Sequence, residues 1–483
     1  MRARRRPKSM MSRFVISLAA LAVAVGAAVG VAACAHGGPS ATVSADASVS
    51  VAAPEVPSSA AAAGVEARAF GGHGRLAFVS GGRLYVLDGS AAGQTATLHA
   101  VPSGQVPGQT PGSPAWSPDG RWLAYLVGTP AADGAVTSGA LWLAGPDGQD
   151  ARQVMAKVAG FDWSPKADEL AATSGNGGKL FAVRPGKPTY PMLEVPGQFD
   201  GAPAWSPNGR ELAVATVDLT AAKRFASSVI DLFVPSEGIV VNSLASSRTD
   251  ALSLDGWWTS GEGLLAWSDP RDSATLPAAG LPLVSYPLGD EPTATLASTP
   301  AYSPFAVPDG DGVTLVTGGN RYPWSAKTIT YCSDAGLCRP TPGALPAPVN
   351  LDPASSQWQG EPDLAFAHCA AEESAATPQK ARPTPQDLNA WSQTCRLWYL
   401  GGTGANAVPI TRAGAGVAAP TWSATGGDLL YVRDDALWLI PMRLPAGALS
   451  TAPAQLVVGS LFAGSWPNAN GYTAWQTQFA WHS

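Results

Sequence analysis

Residues 114–120 read Pro114-Ala115-Trp116-Ser117-Pro118-Asp119-Gly120, and the phrase returns along the chain. Strong copies are Phe161-Asp162-Trp163-Ser164-Pro165, Pro203-Ala204-Trp205-Ser206-Pro207-Asn208-Gly209 and Pro420-Thr421-Trp422-Ser423. Weaker copies are Asp255-Gly256-Trp257, Tyr302-Ser303 leading to Pro308-Asp309-Gly310, and Gln357-Trp358-Gln359. A spacing of about 40–60 residues is the period of a propeller blade rather than of a helical solenoid. The phrase is good type I turn chemistry: Pro presets the first corner, Asp or Asn tolerates the second, and Gly closes it. The preceding Trp has the area to fill the wedge between neighbouring sheets, which no single blade could bury alone.

Working outward, each copy is followed by a short apolar strand, as at Trp122–Leu126, Glu211–Val214, Gly263–Trp267, Asp363–Phe366 and Leu429–Val432. A third strand alternates, as at Leu141–Leu143, Lys179–Val183, Leu397–Leu400 and Leu437–Ile440; a tight turn and a fourth strand complete the unit. With 53 Gly and 43 Pro in 483 residues, the composition leaves little room for long helices and suits many short strands. Seven complete units run from Trp116 to about Gly459. Before them stand three strand-like pieces (Arg75–Phe78, Arg83–Val86, Thr95–Leu98) that lack a first strand, and spare strand material lies at Gly464–Ser483. Joining the two ends into a composite blade removes the open sheet edges. The expectation is an all-β chain: a β-propeller of four-stranded blades over residues 73–483, closed by its N- and C-terminal strands. Eight blades follow by count, and seven if one faint unit is not a blade.

The wording resembles the TolB-like branch of the WD40-type propellers, whose blades begin with this Trp-Ser-Pro-Asp-Gly pattern, over about residues 74–483. The resemblance implies a propeller and not the Tol system, because propellers host many unrelated functions.

Residues 1–13 are basic and lack any acid, and Phe14–Ala33 is an apolar run ending Val31-Ala32-Ala33-Cys34. This is the three-part layout of an export signal. The small residues before Cys34 resemble the lipobox of bacterial lipoproteins, which implies residues 1–33 as signal peptide and a diacylglycerol on the Cys34 thiol. The competing reading is an uncleaved transmembrane anchor. Both place the rest of the chain on the extracytoplasmic face of the cell membrane. Residues 34–72, mostly Ala, Ser, Val, Pro and Gly, cannot bury a core and read as a lipidated, disordered tether with a span on the order of 30 Å. Without the six basic residues before residue 14, 24 basic face 36 acidic side chains, a net −12. That balance speaks against nucleic acid as a partner.

Four further cysteines in an exported chain suggest disulfides. Cys332 and Cys338 flank a hairpin turn, and Cys369 and Cys395 end and begin adjacent strands of one blade, so local pairing is expected. His368 beside Cys369 is the only support for a competing zinc site. Asp309-Gly310-Asp311-Gly312 lacks the spaced carboxylates of a calcium loop and reads as a turn. Five histidines (36, 73, 99, 368, 482) are thin material for acid–base work, and no nucleophile elbow, zinc-protease helix or phosphate loop occurs. No catalytic residue, metal or cofactor is therefore expected.

Long loops on a rigid scaffold are where binding residues concentrate. The loops joining second to third strands are long in most units: 128–140, 217–228, 268–281, 318–327 and 370–394. They carry Lys223, Arg224, Arg271, Arg321, Tyr322, Trp324 and Trp391, aromatic and cationic types favoured as interface anchors. The leading expectation is a membrane-anchored module that binds or scaffolds an envelope protein or peptide, for example a membrane sensor or transport component. It looks like the actinobacterial lipoproteins that accompany membrane sensor kinases, although no globular domain precedes the propeller here. The alternative is an enzyme of envelope glycan or peptide processing with its site in the channel; carboxylates clustered at one channel mouth would favour it.

Overall fold

The computed structural model describes residues 64–483, apart from 105, 132–133, 176, 220–224, 271–279, 290–291, 300–305, 310–311, 319–323, 334–335, 342, 345–348, 357–362, 371–383, 402–405, 413–415, 443–451 and 462–472. Among the described residues the chain is all-β, with one α-helix at Pro385–Ser392. The strands form seven antiparallel sheets, and each follows sequence order except the one that holds both chain ends. One sheet has seven strands because the strand Arg152–Trp163 serves two units. Its first half, through Val158, pairs with Gly139–Ala144 as a fourth strand. Its second half, from Val158, pairs with Leu170–Ser174 as a first strand. Divided there, the sheets give eight four-stranded blades, the number expected from the repeat.

Blade 1 is the composite. The C-terminal strand Phe479–His482 lies antiparallel to Gly74–Ser80, with Phe479 opposite Phe78 and His482 opposite Arg75. It supplies the first strand that the N-terminal pieces lack. At this junction His73 Nδ1 and Asp428 Oδ2 of blade 8 lie 3.0 Å apart, and the Trp481 indole N–H donates to the His73 carbonyl at 2.7 Å.

Burial explains why the units assemble. Eight clusters of buried apolar side chains occupy the eight seams between consecutive blades. Leu76, Phe78 and Tyr85 of blade 1 pack with Leu430, Val432 and Leu439 of blade 8. Val79 and Val86 meet Leu123 and Tyr125, and Leu126 and Leu141 meet Trp163 and Leu170. The same holds at each later seam, through to Ala365 and Leu397 of blade 7 against Leu429 and Tyr431 of blade 8. A sheet with two apolar faces can satisfy both only between two neighbours, so the ring has to close.

The repeated phrase makes the turns. Ser117 donates to Asp119 Oδ1 at 2.7 Å, accepts the Trp122 N–H on its hydroxyl at 3.0 Å, and takes the Gly120 N–H on its carbonyl at 2.8 Å. Ser206 repeats this with Asn208, Glu211 and Gly209. Gly120 and Gly209 sit at φ +67° and +71°, where only glycine is unstrained. In blade 7 the structure corrects the reading of Gln357-Trp358-Gln359. The equivalent serine is Ser356, whose hydroxyl accepts the Asp363 N–H at 3.1 Å, so Ser355 stands where other blades carry Trp. Trp358 lies outside the described residues.

Candidate functional site

The first strands of consecutive blades converge on one another, and their tryptophans hold them there. The Trp116 indole N–H donates to Ala480 O at 3.2 Å, Trp163 to Ala115 O at 3.1 Å, Trp257 to Ala204 O at 2.9 Å and Trp422 to Ala354 O at 3.0 Å. Each bond reaches the first strand of the preceding blade. These strands therefore form the inner wall of the ring, and the fourth strands form its outer edge.

Three consecutive blades carry carboxylates on this wall. Asp162 replaces the alanine that precedes Trp116 and Trp205, and Asp255 stands two residues before Trp257. Asp200 follows the first-strand segment Gln198–Phe199 of blade 4. Asp162 Oδ2 accepts the Trp205 main-chain N–H at 2.8 Å across the seam. The indole N–H of Trp205 is then left buried without a partner, the one strong copy of the phrase whose indole does not tie to its neighbour. Asp200 Oδ2 accepts the Ser253 hydroxyl of blade 5 at 2.8 Å. Asp255 sits at a bulge, where pairing jumps from Leu254 to Gly256. Bulges bend a strand and re-aim the side chain they release.

Burial sets the electrostatics. It pushes the Asp162 carboxyl up to about 6, against the pull of the Trp205 and Trp163 N–H groups. Asp255 has no such donors, and burial pushes it to about 7. Both groups can take up or release a proton near neutral pH, the condition for general acid–base work. No three such groups lie close enough to hold a metal ion among the described residues.

The rim expected to bind is organised differently from the sequence reading. Trp324 and Trp391 are 1% and 5% exposed, so neither can act as a surface anchor. Their rings meet edge-on at 6.1 Å and join the loop 318–327 of blade 6 to the loop 370–394 of blade 7. The reason is apolar area: both indoles enter the cluster that also contains Leu388, Leu397 and Tyr431. The helix Pro385–Ser392 is set by a capping box, with Thr384 accepting from the Asp387 N–H and Asp387 accepting in return from the Thr384 N–H. Trp391 anchors its end by donating to Ala370 O at 3.2 Å. Lys223, Arg224, Arg271, Arg321 and Tyr322 lie outside the described residues, as do Cys34 and the leader.

Both expected disulfides are present, Cys332–Cys338 and Cys369–Cys395. The second closes the loop that carries the helix. It also spends the sulfur that a zinc site at His368 would need. His368 packs edge-on against Trp398 at 5.6 Å, and its basicity is lowered by burial and by nearby Arg396. On the same rim, Ser113 donates to Val136 O at 2.7 Å and Gln478 donates to Gly134 O at 2.9 Å, which ties these two residues of the loop 128–140 to the first strand of blade 2 and to the residue before the first strand of blade 1.

The sequence reading passed over Asp162, Asp200, Ser253 and Asp255. A signal was there for two of them: an Asp stands beside the Trp at 162, and Asp255 begins a copy of the phrase. Nothing in the sequence marked Asp200 and Ser253 as neighbours, because their contact crosses a seam.

No family model matches the chain, and no curated protein matches it. Among solved structures there is distant similarity to β-propeller proteins. An oligogalacturonate lyase of Vibrio parahaemolyticus is 12% identical, with a TM-score of 0.41 over 68% of this chain and 88% of that one. An acylaminoacyl peptidase of Pyrococcus horikoshii is 10% identical, with a TM-score of 0.41 over 69% of this chain. This chain spans about half the length of that peptidase, 51%. A TolB of Acinetobacter baumannii is 13% identical, with a TM-score of 0.31 over 68% of this chain and 76% of that one. These likenesses concern the fold alone.

Proposed function

We propose that the chain is an extracytoplasmic, lipid-anchored recognition module whose second-to-third-strand rim engages an envelope protein or peptide. One observation carries the reading: Trp324 and Trp391, in long loops of neighbouring blades, meet edge-on, and the Cys369–Cys395 bond joins the two ends of the second loop. A loop tied at such points has less freedom to lose on binding than an untied one, which is how a rigid scaffold gains affinity. Disulfides fit the oxidising side of a membrane. The proposed anchor is the diacylglycerol on Cys34, with residues 35–63 as tether; the expected end of the tether at residue 72 is corrected, because Val65 bridges Val458, the Glu66 N–H donates to Val457 O at 2.9 Å and Phe70 is fully buried. Mass spectrometry of the mature N-terminus tests that part. A lipid-modified Cys34 as the first residue supports it; peptides that retain residues before Cys34 contradict it.

A second reading, a glycan- or peptide-processing enzyme of the envelope, is favoured by Asp255 and Asp162 on the inner wall with protonation near neutrality. It requires that Asp255→Asn abolish turnover of an envelope glycan or peptide while the fold is kept. Turnover that survives the substitution removes Asp255 from any such chemistry.

A further inference from the structure

Between blades 2 and 3 the seam opens outward into a cavity of about 290 Å³. That volume lies at the lower end of small-molecule sites, which run from about 300 Å³ upward. One wall is the fourth strand of blade 2, with Met155 and Lys157; the other is blade 3, with Ser174, Lys179, Phe181 and Thr189. Register sets the face that blade 3 turns toward it. Phe181 lies opposite Ala172, and Ala172 and Val183 pack with Leu126 and Leu141 of blade 2. The ladder between Leu170–Ser174 and Gly178–Val183 runs without a bulge, so Lys179 and Phe181, two residues apart, share that face.

One short turn places both lysines. Only three residues separate Ser174 from Gly178, where most other blades carry a long loop. The Ser174 hydroxyl accepts the Lys179 N–H at 3.1 Å, and the Gly175 N–H donates to the Lys157 carbonyl at 3.1 Å. The main chains of two lysines, one from each wall, are thus fixed to the same turn, and both residues are exposed.

Charge decides what the cavity takes. Without the leader the chain carries a net −12, yet four of its eight lysines stand at 157, 166, 179 and 187. Two of the four line the cavity, and among the described residues no carboxylate does. Lys179 Nζ meets Glu194 Oε2 at 3.4 Å, but these side chains are 48% and 70% exposed, so the pair is weak and an anion can displace it. Met155 and Phe181 add an apolar wall, which a bare inorganic ion would leave unused.

We propose that this cavity binds a small organic anion, its phosphate or carboxylate held between Lys157 and Lys179 and its apolar body against Phe181 and Met155. The site is independent of the long-loop recognition proposed above.

Ligand-observed NMR titration of the full chain in non-ionic detergent tests the proposal, with phenyl phosphate and phenylacetate as probes. Saturable binding of at least one probe is expected. It should be tighter than that of inorganic phosphate, which lacks the apolar body, and of benzyl alcohol, which lacks the charge. Lys157→Gln and Lys179→Gln should each weaken it about fivefold, the scale of one exposed ion pair, and Glu194→Gln should tighten it. Lys187→Gln, outside the cavity, should change nothing. Failure of both probes to saturate overturns the proposal, as does equal binding of inorganic phosphate or of benzyl alcohol. A loss from Lys187→Gln as large as that from the cavity lysines also overturns it, because that result means a diffuse positive field rather than a site.

Discussion

At the scale of single residues, the phrase that repeats along the chain does two separate jobs. The serine organises its own turn, and the tryptophan ties its blade to the one before. Trp163→Phe keeps most of the ring but removes the bond to Ala115 O, leaving that acceptor without its partner. Loss of about 1 kcal/mol is expected, read from denaturant melts. Ser206→Ala takes the hydroxyl away from the Glu211 N–H and should cost about 1–3 kcal/mol if that N–H stays dry. The inner-wall carboxylates give a pH signature of definite sign. Asp255 is pushed up to about 7 and Asp162 to about 6, both above their unfolded values. The folded state therefore binds more protons between roughly pH 4 and 7, and stability falls as pH rises through that window. Melting temperature should climb as pH is lowered from 8 to 5, and Asp255→Asn should raise it at pH 8 and flatten the curve. An unchanged curve in that variant would assign the pH dependence elsewhere.

At the scale of elements, the strands were legible because their pattern and their turns agree, as around Pro118-Asp119-Gly120. The order of strands within a blade followed from the repeat, and so did the pairing of Cys332 with Cys338 and Cys369 with Cys395. The helix Pro385–Ser392 was not legible, since it has only two turns inside a loop rich in Ala, Pro and Gln, and its capping box opens on an unremarkable Thr384. For the same reason Trp391 read as a surface anchor. A tryptophan in a long loop looks exposed until the partner indole, Trp324 on another blade, is seen to cover it. Side-chain contacts across seams, like that of Asp200 with Ser253, leave no local trace in the sequence. The Cys369–Cys395 bond spans 26 residues, and the double variant Cys369→Ser/Cys395→Ser should lose about 3 kcal/mol of stability, less any native strain. The expected lesion is local: proteolysis should begin within 370–394, and cleavage elsewhere at equal rate would show that the bond stabilises the ring as a whole.

At the scale of the whole molecule, the fold is a ring that buries apolar sheet surface in the seams between neighbouring blades and leaves two rims and an outer edge for interaction. Closure depends on five residues at the C-terminus. Removing 479–483 deletes the first strand of blade 1 and the acceptor of Trp116, so the soluble yield and the cooperativity of unfolding should both fall. The central claim is functional: the rim of long, clasped loops recognises a partner, and the opposite rim of short turns does not. Photo-crosslinking in the intact envelope tests it most directly. A photoreactive residue is placed at Gln386 or Asn389, exposed on the helix of the loop rim, and at Arg121 or Arg210, exposed on the turn rim. The account expects a discrete adduct from the two loop-rim positions and none from the two turn-rim positions. Adducts from Arg121 and Arg210 alone would contradict it.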